Sequence, residues 1–226
     1  MAVTAFRYWI GLGLALGALG CSAMVRHSPS SEPPLVPALK APTASVADLA
    51  TSLPPSVPAT VWDYLRQGDQ RLYVVLLRHA LAPGTGDPAN FRLGDCATQR
   101  NLSEAGRQQA IAIGQAFRQQ GVTVEGVLSS QWCRCLETAE LLGLGPVEPF
   151  APLNSFFRDR RTTDSQTAAV EAYLRQQPQG VLIMVTHQVN ITALTGIFPP
   201  SGHGVVVAVE ENQPFTTIGT LETLAP

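Results

Sequence analysis

Two runs of consecutive apolar residues interrupt the mixed pattern of this chain. Val74-Val75-Leu76-Leu77 ends abruptly at Arg78-His79, and Val181-Leu182-Ile183-Met184-Val185 ends at Thr186-His187. A continuous run rich in Val, Leu and Ile fits a strand covered on both faces, as in a parallel sheet between helices. In such sheets ligands bind in the crevice outside the carboxyl ends of the strands. The pattern therefore predicts buried strands over residues 72–77 and 181–186, each delivering a histidine to one sheet edge.

Between them the period changes. Ala110, Ile113, Gly114 and Phe117 recur at i, i+3, i+4 and i+7, one apolar face of a helix. Ser103 is its N-cap, Glu104 lies in its first turn where negative charge is favoured, and Gly121 stops it. Residues 126–129 read as a short strand. Residues 131–142 read as a helix burying Trp132, Cys135, Leu136 and Ala139 and stopped by Gly143 and Gly145-Pro146. Further expected elements are a helix at 61–65 ending at Gly68, a strand near Val147, helices at 166–176 and 189–195, and strands at 205–209 and 216–221. Residues 80–101 hold Pro83, Gly84, Gly86 and Pro88 without periodicity and read as a long functional loop. Strands alternating with helices predict an α/β fold, a three-layer αβα sandwich with a mostly parallel central sheet.

The first 59 residues follow another pattern. Met1 to Arg7 carry one positive charge, and a short apolar run from Tyr8 to Gly20 ends at Cys21. The run falls short of the roughly 20 apolar residues of a membrane span and reads as an export signal, residues 1–21. Gly20-Cys21-Ser22 resembles the end of a bacterial lipoprotein signal, which implies a lipid on Cys21 and membrane anchoring in the cell envelope. Ala18 and Leu19 depart from the commonest form of that signal, so periplasmic or secreted protein is the alternative. Residues 22–59 are rich in Pro, Ser and Ala and read as an extended tether with at most a short helix at 46–52. Residues 60–226 form the folded domain.

Composition excludes one class of partner. The 15 basic residues nearly balance 17 acidic ones, only Lys40 is a lysine, and the arginines are scattered. A broad basic face for nucleic acid is absent from this pattern. Single arginines still suit anions, because the guanidinium fork matches carboxylate and phosphate oxygens.

The chemistry gathers at strand ends. His79 and His187 close two strands, and a third leads through Ser129-Ser130 to Arg134 in the first turn of a helix. Two imidazoles, the guanidiniums of Arg78 and Arg134, and a helix N-terminus on one edge suit a phosphoryl group. One neutral imidazole can attack phosphorus while the arginines neutralise the non-bridging oxygens, and the second can donate a hydrogen bond to the developing charge.

Four segments in order carry a family resemblance. Arg78-His79-Ala80, then Arg100 to Ala110, then Ser129-Ser130 with Arg134 and Thr138-Ala139, then Val185-Thr186-His187 resemble the histidine phosphatase superfamily, the phosphoglycerate-mutase-like fold. The resemblance implies that His79 is a nucleophile becoming phosphohistidine. It implies that Arg78 and Arg134 bind substrate phosphate, that His187 completes the pocket, and that neither metal nor cofactor takes part. The partner is a small phosphorylated substrate, a phosphate monoester or a phosphohistidine or acyl phosphate.

Three departures qualify it. Ala80 stands where the family usually has Gly, Ser155 follows Leu153-Asn154 where mutase-like members carry a glutamate, and Gln188 follows His187 in place of an acid. Mutase activity is thereby disfavoured, and the proton donor is left to Asp95, to Asp87, or to none. Asp95 resembles the acid that precedes the Arg-x-Leu-Thr/Ser segment of the small phosphohistidine-phosphatase subgroup. The alternative function is a phosphate- or ligand-binding lipoprotein of the same fold without turnover.

Cys96, Cys133 and Cys135 allow one disulfide from the loop at Cys96 to the helix, with the partner left open and an odd thiol remaining. Their spacing is not that of a zinc site. Arg92, Arg158, Arg160 and Arg161 are in reach of substrate contacts but read by default as exposed charges, and His203 reads as a loop residue. No oligomeric state follows from the chain.

Overall fold

A computed structural model describes residues 60–68, 71–210 and 215–222. The expected signal, tether and short helix at 46–52 lie outside the described residues.

The apolar run at Val74 becomes β1 (Leu72–Arg78) and that at Val181 becomes β4 (Gly180–Thr186), each buried along almost its whole length. They pair in parallel as central neighbours, Arg78 opposite Thr186. On one side β4 is followed by β2 (Gly126–Ser129) and β3 (Val147–Pro149), both parallel. On the other side β1 pairs antiparallel with β5 (Gly204–Val209), which pairs antiparallel with β6 (Thr216–Leu221). The sheet order is β3-β2-β4-β1-β5-β6. Four parallel strands thus form the ligand-bearing part, as expected. The last two make the sheet mixed: β5 follows α5 but runs antiparallel to β1, and the connection from β5 to β6 is too short for the crossover that a parallel pair requires.

Alternate residues of β1 enter two cores. Tyr73, Val75 and Leu77 pack with Ile113, Phe117, Ala139 and Leu142 of α2 (Glu104–Gln119) and α3 (Cys133–Leu142), and with Leu65 of α1 (Val61–Leu65). Leu72, Val74 and Leu76 pack on the other face with Val170 and Leu174 of α4 (Thr163–Leu174) and Ile191 of α5 (Gln188–Thr195). The period-two alternation of a strand distributes one apolar run between two helical layers, which is the αβα sandwich.

The helices begin and end by local chemistry. The Ser103 hydroxyl accepts from the Gly106 N–H at 3.0 Å, and Gly143 and Gly196 close α3 and α5 with left-handed backbone, φ 60° and 75°. Gly114 lets α2 lie directly on the end of α3: a Cβ there would stand 1.9 Å from the Leu142 carbonyl oxygen. Two helix starts differ from expectation by two residues or more. Helix α3 starts at Cys133 because Trp132 takes extended backbone as its N-cap, φ −71° and ψ 136°. Helix α4 starts at Thr163, directly after a 3-10 turn at Arg160–Thr162 whose cap is Asp159.

The loop from Ala80 to Asn101 is held at several points. It contains a 3-10 turn, Cys96–Thr98, and a disulfide joins Cys96 to Cys133 at the first turn of α3. Closing a loop across 37 residues stabilises the fold by roughly 3–4 kcal/mol on chain-entropy grounds. Cys135 is the free, buried thiol.

Candidate active site

The parallel register of β1 and β4 builds the site. Since Arg78 stands opposite Thr186, the residues that follow, His79 and His187, leave the sheet side by side. The His79 N–H donates to the Thr186 carbonyl at 3.0 Å. The two rings lie edge to face, centroids 5.5 Å apart and planes at 68°. Both are almost fully buried, 2% and 4% exposed.

Hydrogen bonds settle the tautomers. His79 Nδ1 is 2.8 Å from the Ala80 carbonyl oxygen, which can only accept, so Nδ1 carries the proton and Nε2 keeps its lone pair. The Ala80 backbone is itself held by its N–H donating to Thr138 Oγ1 at 3.1 Å, an ordinary fit for alanine at this departure from the family pattern. An Arg134 terminal N–H faces His187 Nδ1 at 3.4 Å, and arginine only donates, so Nδ1 accepts. His187 Nε2–H then donates to Ser130 Oγ at 2.9 Å, and the Ser130 hydroxyl donates to Asn154 Oδ1 at 3.3 Å. The segment that carries Asn154 is fixed beneath His187 by Thr186 Oγ1, which donates to the Leu153 carbonyl at 2.7 Å.

Burial makes both imidazoles neutral. Desolvation, reinforced by the charges of Arg134, Arg100 and Arg78, pushes His79 down to about 3 and His187 well below its ordinary value. Cys135, with its Sγ 3.5 Å from His187 Nε2, is pushed up to about 12 by the same burial and stays a thiol.

Acid sensitivity follows with a definite sign. Unfolded, His79 titrates near 6.5; folded, at about 3. Between these values the unfolded chain binds a proton that the native state does not, so stability is fully present above 6.5 and is lost as the pH falls. The loss from this group is about 1.4 kcal/mol per pH unit. Denaturant titrations between pH 7 and pH 4 should show His79→Gln losing less stability than the parent; equal slopes would assign the acid sensitivity to other groups.

The arginines surround the imidazoles. Arg134, only 3% exposed, makes a two-pronged contact with the Asp87 carboxylate at 2.6 and 3.2 Å. Asp87 also accepts from the Trp132 indole N–H at 3.1 Å and the Arg100 backbone N–H at 3.3 Å. Burial acts to raise the Asp87 carboxyl, but the hydrogen bonds and charge of Arg134, with those of Trp132 and Arg100, outweigh it and hold it below the usual carboxylate range. Arg100 donates to the Gly86 carbonyl at 2.8 Å and to the Ala82 carbonyl, binding the loop to the site. Arg78 donates to the Pro199 carbonyl at 2.9 Å.

These groups form the floor of a cavity of about 600 Å³, lined among others by Arg78, His79, Asp87, Arg100, Arg134 and His187. It lies at the carboxyl ends of β1, β2 and β4, where the strand pattern placed it. Four of the five expected site residues meet there. Asp95 does not: its carboxylate caps the 3-10 turn, accepting from the Ala97 N–H at 3.2 Å, and it does not line the cavity. Asp87 occupies the place expected for a carboxylate. Sequence reasoning missed Arg100 and Trp132 as cavity residues. Arg100 had a signal in its position at the head of the Arg-Asn-Leu-Ser segment, whereas Trp132 reads by helical period as core. Ser155, Arg158 and Arg160 line the rim, and Arg158 donates to the Asp87 and Pro88 carbonyls.

Residues 74–154 match the family described as the histidine phosphatase superfamily, branch 1. The match includes Arg78, His79, Asp87, Arg100 and Arg134, and ends before His187. Comparison with curated proteins finds no match. Among solved structures, the product of an open reading frame from Mycobacterium tuberculosis is similar at 16% identity and TM-score 0.50, covering 68% of this chain and 97% of that one. The protein histidine phosphatase SixA, complexed with tungstate, is similar at 19% identity and TM-score 0.49, over 67% of this chain and 97% of the other. A phosphoserine phosphatase from Entamoeba histolytica, in complex with 3-phosphoglyceric acid, stands at 12% identity and TM-score 0.49, over 68% and 98%. The first of these likenesses concerns the fold.

Proposed function

We propose that this domain, whose residues 74–154 match the histidine phosphatase superfamily, hydrolyses phosphate monoesters through a phosphohistidine on His79. The observation that carries this reading is the pair of neutral imidazoles, 5.5 Å apart, among buried guanidiniums at the carboxyl edge of a parallel sheet. His79 Nε2 holds its lone pair at neutral pH and attacks phosphorus. The new N–P bond forms as the ester P–O bond breaks, and its electron pair leaves on the ester oxygen. Water then attacks the phosphohistidine, releasing orthophosphate and restoring the imidazole. Arg134, Arg78 and Arg100 neutralise the non-bridging oxygens as charge shifts among them.

The proton inventory follows from the free site. His187 has both nitrogens engaged, and an arriving dianion favours protonation of Nδ1, which turns His187 into a donor toward the transferring group. Asp87 is the carboxylate lining the cavity among the described residues. When phosphoryl oxygens take Arg134, Asp87 loses its ionic partner while its burial and the phosphoryl charge both raise its carboxyl, which can then hold a proton and carry it to the leaving oxygen. Weakly basic leaving groups, phenolates among them, need that proton least.

An aryl phosphate such as 4-nitrophenyl phosphate tests the proposal directly, with steady hydrolysis between pH 5 and pH 8 expected. Inorganic phosphate bound without any turnover would favour the rival reading, a non-catalytic binding lipoprotein. That rival draws on Ser155 in place of a glutamate and on an Asp87 already engaged by Arg134.

The proposal extends to location: export to the cell envelope, a lipid on Cys21, and residues 22–59 as tether. The Cys96–Cys133 disulfide suits an oxidising compartment. Fatty-acid labelling of the full chain in a bacterial host should depend on Cys21, and label retained by Cys21→Ala would remove the lipid from this account.

A further inference from the structure

A phosphoryl group fills only the floor of the cavity, and the rest must accommodate what leaves. Its walls are aromatic. Trp132 and Phe91 stack with centroids 5.0 Å apart and planes at 22°. The Trp132 indole N–H is already spent on Asp87, so the pair offers apolar ring surface. Phe157 and Phe198 also line the cavity, yet they are the two most exposed large apolar side chains among the described residues, at 50% and 66%. The Arg78 guanidinium carbon lies 5.9 Å from the centre of the Phe198 ring, which ties this ring to the phosphate end of the cavity by a cation–π contact.

These two rings come from separate connections, Phe157 after the Asn154 segment and Phe198 after α5. The other exposed large apolar residues, Leu81 at 44% and Leu93 at 49%, do not line the cavity. Aromatic rings left half in water at the mouth of a cationic pocket gain their missing contacts when a ligand supplies flat apolar surface. We infer that the substrate is a phosphate monoester of an aromatic alcohol, the phosphoryl group among His79, Arg78 and Arg134 and the aromatic body against Phe157 and Phe198. Phe157 and Phe198 are then the specificity-determining residues.

This rests on the phosphatase reading for turnover but not for binding. Leaving-group reactivity is kept constant by comparing 3-phenylpropyl phosphate, 3-cyclohexylpropyl phosphate and propyl phosphate, all esters of simple primary alcohols. Equilibrium binding to the His79→Ala protein should favour the phenylpropyl ester over the propyl ester by roughly tenfold or more, the scale expected for burying one ring. The cyclohexyl ester should fall between them. Phe157→Ala combined with Phe198→Ala should reduce the preference to below about threefold, and Leu93→Ala should change nothing. A preference near one, a preference that survives loss of both rings, or cyclohexyl binding as tight as phenyl would overturn the assignment. If neither these esters nor 4-nitrophenyl phosphate is hydrolysed by the parent protein above the His79→Ala background, the phosphatase reading fails while these affinities still decide the specificity.

Discussion

His79→Ala is expected to lower aryl phosphate hydrolysis by at least about 10³-fold, with affinity for inorganic phosphate largely kept. No neighbour can take over the attack. His187 points one nitrogen at Ser130 and the other at an Arg134 donor, and Cys135 is a buried thiol pushed up to about 12. The neutral state of His79, pushed down to about 3, adds a second signature: its protonation imposes no loss of kcat/KM at any pH above about 4. Initial rates of both proteins, with rapid acid-free quenching to capture a phosphorylated chain, check both statements. A variant that keeps a tenth of the activity, or label that remains on the chain without His79, would remove His79 from the nucleophile's role.

The second large effect belongs to Asp87. Its carboxylate sits on Arg134 as an anionic substrate oxygen would, so substrate must compete for the same guanidinium. Asp87→Asn leaves a cation that is 3% exposed without its countercharge, a change that costs about 3 kcal/mol when one partner of a buried pair is removed. The expected result is a lower unfolding temperature in phosphate-free buffer, with a larger rise on adding phosphate than the parent shows, since bound anion stabilises by mass action. Thermal unfolding over a phosphate series reads both. A smaller phosphate response in Asp87→Asn would mean that the carboxylate shapes the Arg134 fork for phosphate instead of occupying its place.

The two aspartates of the long loop mark the boundary of what local pattern conveys. Asp95 and Asp87 share the same kind of Gly- and Pro-rich surroundings, and the distance of Asp95 from Arg100 favours Asp95. Its real partner is two residues away, in a turn that needs a cap. The partner of Asp87 is 47 residues away on α3, held near by a disulfide and by the Arg100 contacts to the loop. Trp132 shows the same limit: helical spacing assigns it to the core, against which it does pack, but gives no sign that its ring also lines the cavity.

By itself the sequence determined the two buried strands, the helices between them, the edge where chemistry gathers, and His79, His187, Arg78 and Arg134 upon it. Those features follow from hydrophobic periodicity and from strand ends, which act over a few residues. Only the tertiary structure decided that Asp87 and not Asp95 faces the site, that both imidazoles are neutral, that Cys96 pairs with Cys133, and that aromatic rings form the mouth. Each of these depends on packing between segments far apart in the chain, where burial and long-range contacts, not local pattern, set the outcome.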